Sequence, residues 1–129
     1  MTSISGLATE QKKREILEIV KTVRKSLAIP KSVKIHIALG ILAECGKIVQ
    51  LDPKSYEIWI DKTLSDSMLR EVIGHELCHS KQFLDKRLQI KGNLLYFEGV
   101  CMSSIPYSKQ VFELEAKRVG REIRNFLTK

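Results

Sequence analysis

Two of the three histidines in this 129-residue chain lie four positions apart, around a glutamate, in the segment His75-Glu76-Leu77-Cys78-His79. On a helix, residues four apart lie on the same face, so both imidazoles can bind one metal ion at about 2.0–2.1 Å, the distance that zinc prefers. The glutamate beside the first histidine can reach a water on that ion. The spacing therefore predicts a metal site with His75 and His79 as ligands and Glu76 as the general base.

The helical pattern around this motif favours the metal site over an ordinary helix with two half-buried histidines. From Met68 to Leu84 the apolar side chains form one continuous arc, with His75 and His79 at one edge and Glu76 within it. A buried carboxylate costs several kcal/mol unless a cation or a hydrogen-bond donor meets it, so a purely structural role explains Glu76 poorly. The opposite, polar side carries Arg70, Glu71, Lys81, Gln82 and Asp85.

A catalytic zinc ion needs a third protein ligand, and the sequence offers more than one candidate. His36 is the only other histidine and lies on a predicted strand, whereas Glu113 and Glu115 lie on a predicted later helix. Ala116 and Gly120 follow Glu113 on the same side of that helix, so the histidine helix can approach closely there. This favours Glu113 over Glu115. The alternative is that both glutamates are solvated charges at the flanks of the helix.

The HExxH motif followed by Glu113-Leu114-Glu115-Ala116 resembles the zincin metallopeptidases of the gluzincin type. The E-x-E-A element is similar to that of the small soluble ImmA/IrrE-like peptidases. It also resembles the E-x-x-A-D element in the catalytic domains of the membrane-bound CAAX-processing and HtpX-like proteases. Lys117 stands where those membrane families carry an acidic residue, so another group must orient a zinc-binding imidazole.

The resemblance implies a zinc ion bound by His75, His79 and Glu113. It also implies a minimal zincin-like domain, with a helix, a small mixed sheet whose edge strand binds extended peptide, and two active-site helices. These elements cover most of the chain.

Periodicity and turn signals predict the elements that position these residues. Residues 8–27 are expected to form an amphipathic helix with Thr9 as its N-cap and Pro30 beyond its end. Alternation over 33–37 predicts a strand with His36 on its more polar face. Two further strands are expected on either side of a turn at 52–55.

The second half of the chain is predicted to contain two helices. The first runs from Leu64 to about Arg87, an irregular stretch covers 88–107, and the last helix covers 108–127. We therefore predict an α+β fold with an N-terminal helix, a three-stranded mixed sheet, the HExxH helix and a C-terminal glutamate helix. Residues 1–129 are expected to form a single domain.

Composition limits the other classes of function. The chain is 43% hydrophobic and 29% charged, with a net charge of +7, but lysine and arginine are spread along it, so nucleic acid is only a weakly supported partner. Its three cysteines include no C-x-x-C pair and are expected to be small buried hydrophobes. No apolar run approaches the roughly 20 residues of a membrane helix, and the N-terminus lacks the order of a secretory signal. We expect a cytoplasmic protein without a membrane partner.

The function predicted from these patterns is zinc-dependent hydrolysis of a peptide or protein substrate. The ion would polarise the scissile carbonyl and lower the pKa of its water, and Glu76 would move the proton. Tyr96 or Tyr107 could hydrogen-bond the oxyanion. The alternative is a catalytically silent or latent regulatory module with the zincin fold, which binds DNA through its basic surface.

Overall fold

The computed structural model describes residues 2–127, which form an α+β fold as predicted. Three long helices accompany two separate sheets, one mixed and one antiparallel. The elements, in chain order, are β1 (Thr2–Ser5), α1 (Glu10–Ser26), β2 (Lys34–Gly40), β3 (Gly46–Asp52), β4 (Ser55–Asp61), α2 (Asp66–Leu84), β5 (Leu88–Lys91), β6 (Leu94–Phe97), β7 (Val100–Cys101), a 3₁₀ turn (Tyr107–Lys109) and α3 (Val111–Leu127).

The mixed sheet has four strands, in the order β1-β2-β4-β3, so the prediction of three strands was wrong. The additional strand, β1, pairs in parallel with β2, and α1 makes the crossover between them. Ser3 and Ser5 of β1 place their hydroxyls 2.7 and 2.8 Å from the two ring nitrogens of His36. His36 therefore lies on the more polar face of its strand, as predicted, and fastens β1 to the sheet.

The hairpin predicted around residues 52–55 is present as β3 and β4, which pair antiparallel. The Asp52 carboxylate accepts a hydrogen bond of 2.8 Å from the backbone N–H of Lys54, which stabilises the turn. β4 also pairs in parallel with β2 and turns Tyr56, Ile58 and Ile60 into the core. Within residues 2–127, β3 pairs with β4 alone, so it is an edge strand whose outer side can accept another strand.

Both helices that cover this sheet begin at side-chain caps. The Thr9 hydroxyl accepts from the backbone N–H of Lys12 at 3.1 Å, as the sequence predicts, and Ser65 accepts from Met68 at 3.3 Å. The main core lies between the sheet and helices α1 and α2, with a contribution from α3. Its fully buried members include Ile16, Val20, Val23, Ile35, Ile37, Ile58, Ile73 and Leu77.

Helices α2 and α3 approach each other through two glycines. A Cβ atom at Gly120 would lie 2.6 Å from the backbone oxygen of Glu71, and one at Gly74 would lie 3.1 Å from the Cα of Gly120. Real side chains do not fit at the first of these distances. The close approach predicted from Gly120 is therefore confirmed, and it brings the start of α3 beside the histidines of α2.

The stretch 88–107 is not irregular, because β5, β6 and β7 form a three-stranded antiparallel sheet. Two-residue turns join its strands, and Glu98 and Gly99 both have positive φ, at 50° and 83°, as a type I′ turn requires. This sheet has its own small core, which consists of Leu88, Phe97, Met102 and Phe112. The sheet thus packs against the first turn of α3.

Two further expectations have different outcomes. Cys78 is buried, but Cys45 is exposed and Cys101 is half-buried, so the prediction of three buried cysteines was wrong for those two. Within residues 2–127, no helix combines the length and the apolar character needed to cross a membrane.

Candidate metal centre

The two histidines of the motif point to the same place. Both lie on α2, one turn apart, and their Nε2 atoms are 3.2 Å from each other. The ring centroids are 4.9 Å apart, with the rings nearly perpendicular. His79 is 5% exposed, so its ring is fixed by packing, and Phe112 lies against it with 5.8 Å between ring centroids. Helical spacing and burial together present both imidazole edges to one position.

Glu113 of α3 reaches the same position. Its Oε1 atom lies 3.1 Å from His75 Nε2 and 2.8 Å from His79 Nε2. Three ligands of a tetrahedral zinc ion with bonds of about 2.0–2.1 Å lie about 3.3 Å from one another. The three atoms are therefore almost at the spacing of metal ligands, with two neutral donors and one anionic donor.

Glu76 lies beside this triangle of atoms and slightly outside it. Its Oε1 atom is 3.9 Å from His75 Nε2, and the donor atoms of His75, Glu76 and His79 all lie within 4.8 Å of one another. This group could hold a metal ion. Within residues 2–127 the structure shows no hydrogen bond to the Glu76 carboxylate, which is 6% exposed. Burial raises the pKa of this carboxyl group above its usual range, and the two histidines oppose the rise.

Glu113 and His79 each stabilise the charged form of the other. Burial would raise the pKa of Glu113, but its hydrogen bonds to His75 and His79 outweigh burial and lower the pKa to about 2. Burial would lower the pKa of His79, but the hydrogen bond and charge of Glu113 raise it above its usual range. A proton on His79 Nε2 in the hydrogen bond to Glu113 would occupy the position that a metal ion would take.

Glu115, the other candidate for the third ligand, faces elsewhere. Its carboxylate accepts hydrogen bonds of 2.9 and 2.8 Å from the two terminal nitrogens of Arg87 and one of 3.0 Å from Gln82. The hydrogen bonds from Arg87 hold the pKa of Glu115 below its usual range. His36, the third histidine, is engaged by Ser3 and Ser5 on the far strand of the sheet. Of the three candidates, the structure brings only Glu113 to the histidine pair.

A cleft of about 330 Å³ opens beside the centre. Its wall includes His75 and Glu76 from α2, Lys117 and Arg121 from α3, and Gly46 at the start of edge strand β3. A Cβ atom at position 46 would lie 2.6 Å from Val72 and 3.6 Å from the Cγ of Glu76, so a glycine lets β3 pass close to the motif. The edge of the sheet and the candidate centre therefore share one cleft.

The structure distinguishes the two tyrosines predicted as oxyanion partners. Tyr107 lines the cleft, and burial, together with the charges of Glu113 and Glu76, raises its pKa. Tyr96 lies on β6, where Lys91 stacks 5.5 Å from its ring centroid, and does not line the cleft. Tyr107 is the one of the two that is placed to meet a molecule in the cleft.

One residue of the centre was missed by the sequence patterns. Gln82 falls on the polar side of α2, but it is only 1% exposed because α3 covers that side. Its Oε1 atom lies 2.8 Å from His79 Nδ1. A signal was present in the sequence, since Gln82 follows His79 by three positions and such pairs are neighbours on a helix.

The chain matches no protein-family model, no curated protein and no solved structure. The action of the centre must therefore be inferred from the chemistry and geometry of its own side chains.

Proposed function

We propose that this protein is a zinc-dependent metallopeptidase, with His75, His79 and Glu113 as zinc ligands and Glu76 as the general base. One observation carries the proposal. Two Nε2 atoms and one carboxylate oxygen, from two different helices, lie 2.8–3.2 Å from one another. Beside them lies the Glu76 carboxylate, which is 6% exposed and to which no group of residues 2–127 donates a hydrogen bond.

The donor set supports zinc as the ion. Two imidazoles and one carboxylate are the ligands of a well-known class of catalytic zinc sites, which leave the fourth position open. Imidazole also suits copper, iron and nickel, so the identity of the metal has to be measured. A bound zinc ion would supply Lewis acidity, which polarises a substrate carbonyl and makes water acidic enough to lose a proton near neutral pH.

Glu76 has the environment of a base that takes up and releases a proton. Burial raises the pKa of its carboxyl group, and catalytic carboxylates are tuned in this direction because proton transfer works best near the operating pH. Its oxygen lies 3.9 Å from His75 Nε2, too far for a hydrogen bond but close enough to face the same point. Glu76 accepts the proton of the attacking water and delivers it to the departing amine.

An extended peptide suits the surroundings of the centre. Strand β3 lies at an edge of the sheet formed by residues 2–127, and its first residue, Gly46, lines the cleft that contains His75 and Glu76. A peptide that pairs with such an edge gains main-chain hydrogen bonds, while the cleft selects side chains. Tyr107 also lines this cleft, and its hydroxyl is the group that we expect to donate to the oxygen of the carbonyl under attack.

The test combines metal analysis with hydrolysis. Purified wild-type protein is expected to contain one zinc ion per chain and to cleave casein or a quenched fluorescent peptide. Glu76→Gln should retain zinc and lose cleavage, while Glu122→Gln, a control on the exposed face of α3, should keep both. Wild type without stoichiometric metal would overturn the proposal.

The same assays separate the competing functions. DNA binding that weakens steeply with salt, together with zinc content and no cleavage, would support the silent regulatory module. Activity that appears only after truncation or limited proteolysis would identify a latent enzyme.

A further inference from the structure

The ring of His79 is held at both nitrogens. Nε2 faces Glu113 at 2.8 Å, and Nδ1 faces the Oε1 atom of Gln82 at 2.8 Å. A histidine can give Nε2 to a metal only if Nε2 has lost its proton, and the neutral ring then keeps its proton on Nδ1. The partner of Nδ1 therefore decides which nitrogen is available.

The orientation of the Gln82 amide is fixed by its other contacts. Its Nε2 atom donates 3.0 Å hydrogen bonds to the backbone oxygen of Phe112 and to Oε1 of Glu115. Both partners are acceptors, so the NH₂ group must face them and the amide oxygen must face His79. An amide oxygen accepts only, and the proton on His79 is therefore required at Nδ1.

Glu115, which accepts a hydrogen bond from Gln82, is itself held in place by Arg87. Arg87 donates to both carboxylate oxygens of Glu115, at 2.9 and 2.8 Å, and stacks 4.9 Å from the centroid of Phe97. Gln82 itself is 1% exposed. A buried amide with three satisfied hydrogen bonds has little freedom to turn over, so its oxygen stays directed at the imidazole.

We propose that Gln82, held by Glu115 and Arg87, is the positioning residue that fixes His79 with its proton on Nδ1 and its Nε2 lone pair towards the metal. Gln82 would do the work of the acidic residue that the membrane families carry at the position of Lys117. The Lys117 ammonium lies 4.7 Å from the ring centroid of Tyr107. The inference rests on the proposed function, because it assigns Gln82 to the same zinc centre.

The first measurement is the zinc affinity of three full-length proteins, by competition with a chromogenic chelator. Gln82→Met keeps the length of the side chain but offers His79 no oxygen, and it should weaken zinc binding roughly 10–100-fold, the usual effect of losing such a partner. Lys81→Met places the same residue one position earlier, where the side chain is 30% exposed and pairs with Asp85, and should leave the affinity within about twofold.

The second measurement needs no variant. In ¹⁵N-labelled wild type, NMR should detect a proton on His79 Nδ1 that exchanges slowly with solvent, with and without zinc. In Gln82→Met the same proton should exchange rapidly. A merely structural role for Gln82 would change thermal stability without this signature.

Two results would overturn the inference. One is a folded Gln82→Met protein that binds zinc as tightly as Lys81→Met. The other is an unprotonated Nδ1 in zinc-loaded wild type, which decides the matter even if Gln82→Met fails to fold. If wild type binds no zinc, the proposed function fails, whereas a protected Nδ1 proton in metal-free protein would still identify Gln82 as the group that holds His79.

Discussion

The carboxylate of Glu113 lies 2.8 Å from Nε2 of His79, although the two residues are 34 positions apart in the chain. The two histidines share one helix, so their mutual geometry is local. The third donor arrives only because Gly74 and Gly120 let α3 pack closely on α2. The candidate centre therefore depends on a close contact of two helices at two glycines, neither of which is a metal ligand.

Replacing Gly120 with alanine should disturb the centre, because position 120 lies against His75, whose Cβ would be 3.4 Å from the new Cβ. The new Cβ would lie 2.6 Å from the Glu71 backbone oxygen, so α3 must move outwards. Overpacking of this kind costs about 1–3 kcal/mol, and the displaced Glu113 should also weaken zinc binding. Denaturant unfolding and chelator competition measure the two effects.

The matched control for that variant is Gly40→Ala, since a Cβ at Gly40 would meet nothing within 4 Å. It should leave the stability and the zinc affinity almost unchanged. A Gly120→Ala protein that matches Gly40→Ala in both assays would contradict the assigned helix contact.

Glu113 and Glu115 of α3 should differ sharply when each is replaced by alanine. Glu113→Ala removes a donor that lies within 3.1 Å of both histidines, so zinc affinity should fall by more than the roughly 10–100-fold typical of an outer partner. Glu115→Ala frees Gln82 but leaves every proposed ligand in place, so its loss should be smaller. Metal content and chelator competition report the order, and the reverse order would assign the ligand to Glu115.

Zinc affinity should decrease as the pH is lowered. The hydrogen bond and charge of Glu113 raise the pKa of His79, so the metal-free ring should hold its second proton to a higher pH than an ordinary histidine does. Zinc must displace that proton, and the binding constant should fall roughly tenfold for each pH unit below the folded pKa. Glu113, with a pKa of about 2, stays ionised and adds no such dependence near neutral pH. Chelator competition between pH 5 and 8 checks the slope, and a flat profile would contradict protonation at Nε2.

The stability of the metal-free protein should change on both sides of a pH window. A raised pKa stabilises the fold below the unfolded value, so the contribution of His79 is complete below pH 6.5 and is lost as pH rises through the folded pKa. A lowered pKa acts in the opposite sense, so the contribution of Glu113 is present above pH 4.5 and is lost as pH falls towards 2. Both pH limits belong to the contact between His79 and Glu113, which should stabilise the fold most at pH values between the two.

Denaturant unfolding in the presence of a chelator measures this window. Zinc at 100 times its dissociation constant should then add about 2.7 kcal/mol to the free energy of unfolding. A metal-free protein whose stability rises steadily from pH 5 to 8 would argue against a charged contact between His79 and Glu113.

Tyr107 should matter for turnover and not for zinc. Tyr107→Phe removes the hydroxyl of a residue that lines the cleft, and the loss of one oxyanion donor should lower kcat by roughly 100–1,000-fold, with one zinc ion per chain retained. Tyr96→Phe, outside the cleft, is the control and should leave kcat unaffected. Equal kcat values for the two variants would remove Tyr107 from the reaction.

Features that depend on neighbouring residues could be predicted from the sequence. The helix around His75 and His79, the hairpin turn at 52–55 and the Thr9 cap all follow from short-range periodicity or turn chemistry, and the structure confirms them. The small sheet after α2 also left a local signal, because Gly92 and Gly99 mark two-residue turns, with φ of 62° and 83°.

Features that depend on distant partners could not be predicted in this way. Strand β1 has only four residues, and its pairing is fixed by β2 and by the contacts of Ser3 and Ser5 with His36. Gln82 was predicted to face solvent because the apolar periodicity of α2 carries no information about α3, which packs on that side. Short-range patterns describe one face of one helix, whereas the burial of Gln82 depends on a second helix packed on that face.

The position of Glu113 on a separate helix has a topological consequence. A metal ion bound by His79 and Glu113 would be a removable cross-link that closes a loop of 34 residues, including the whole β5–β7 sheet. Such a cross-link lowers the conformational entropy of the segment between His79 and Glu113. When the ion leaves, that segment regains the entropy that was lost on closing the loop. Chelation should therefore loosen α3 and the β5–β7 sheet before the four-stranded sheet, and hydrogen exchange would register that order of release.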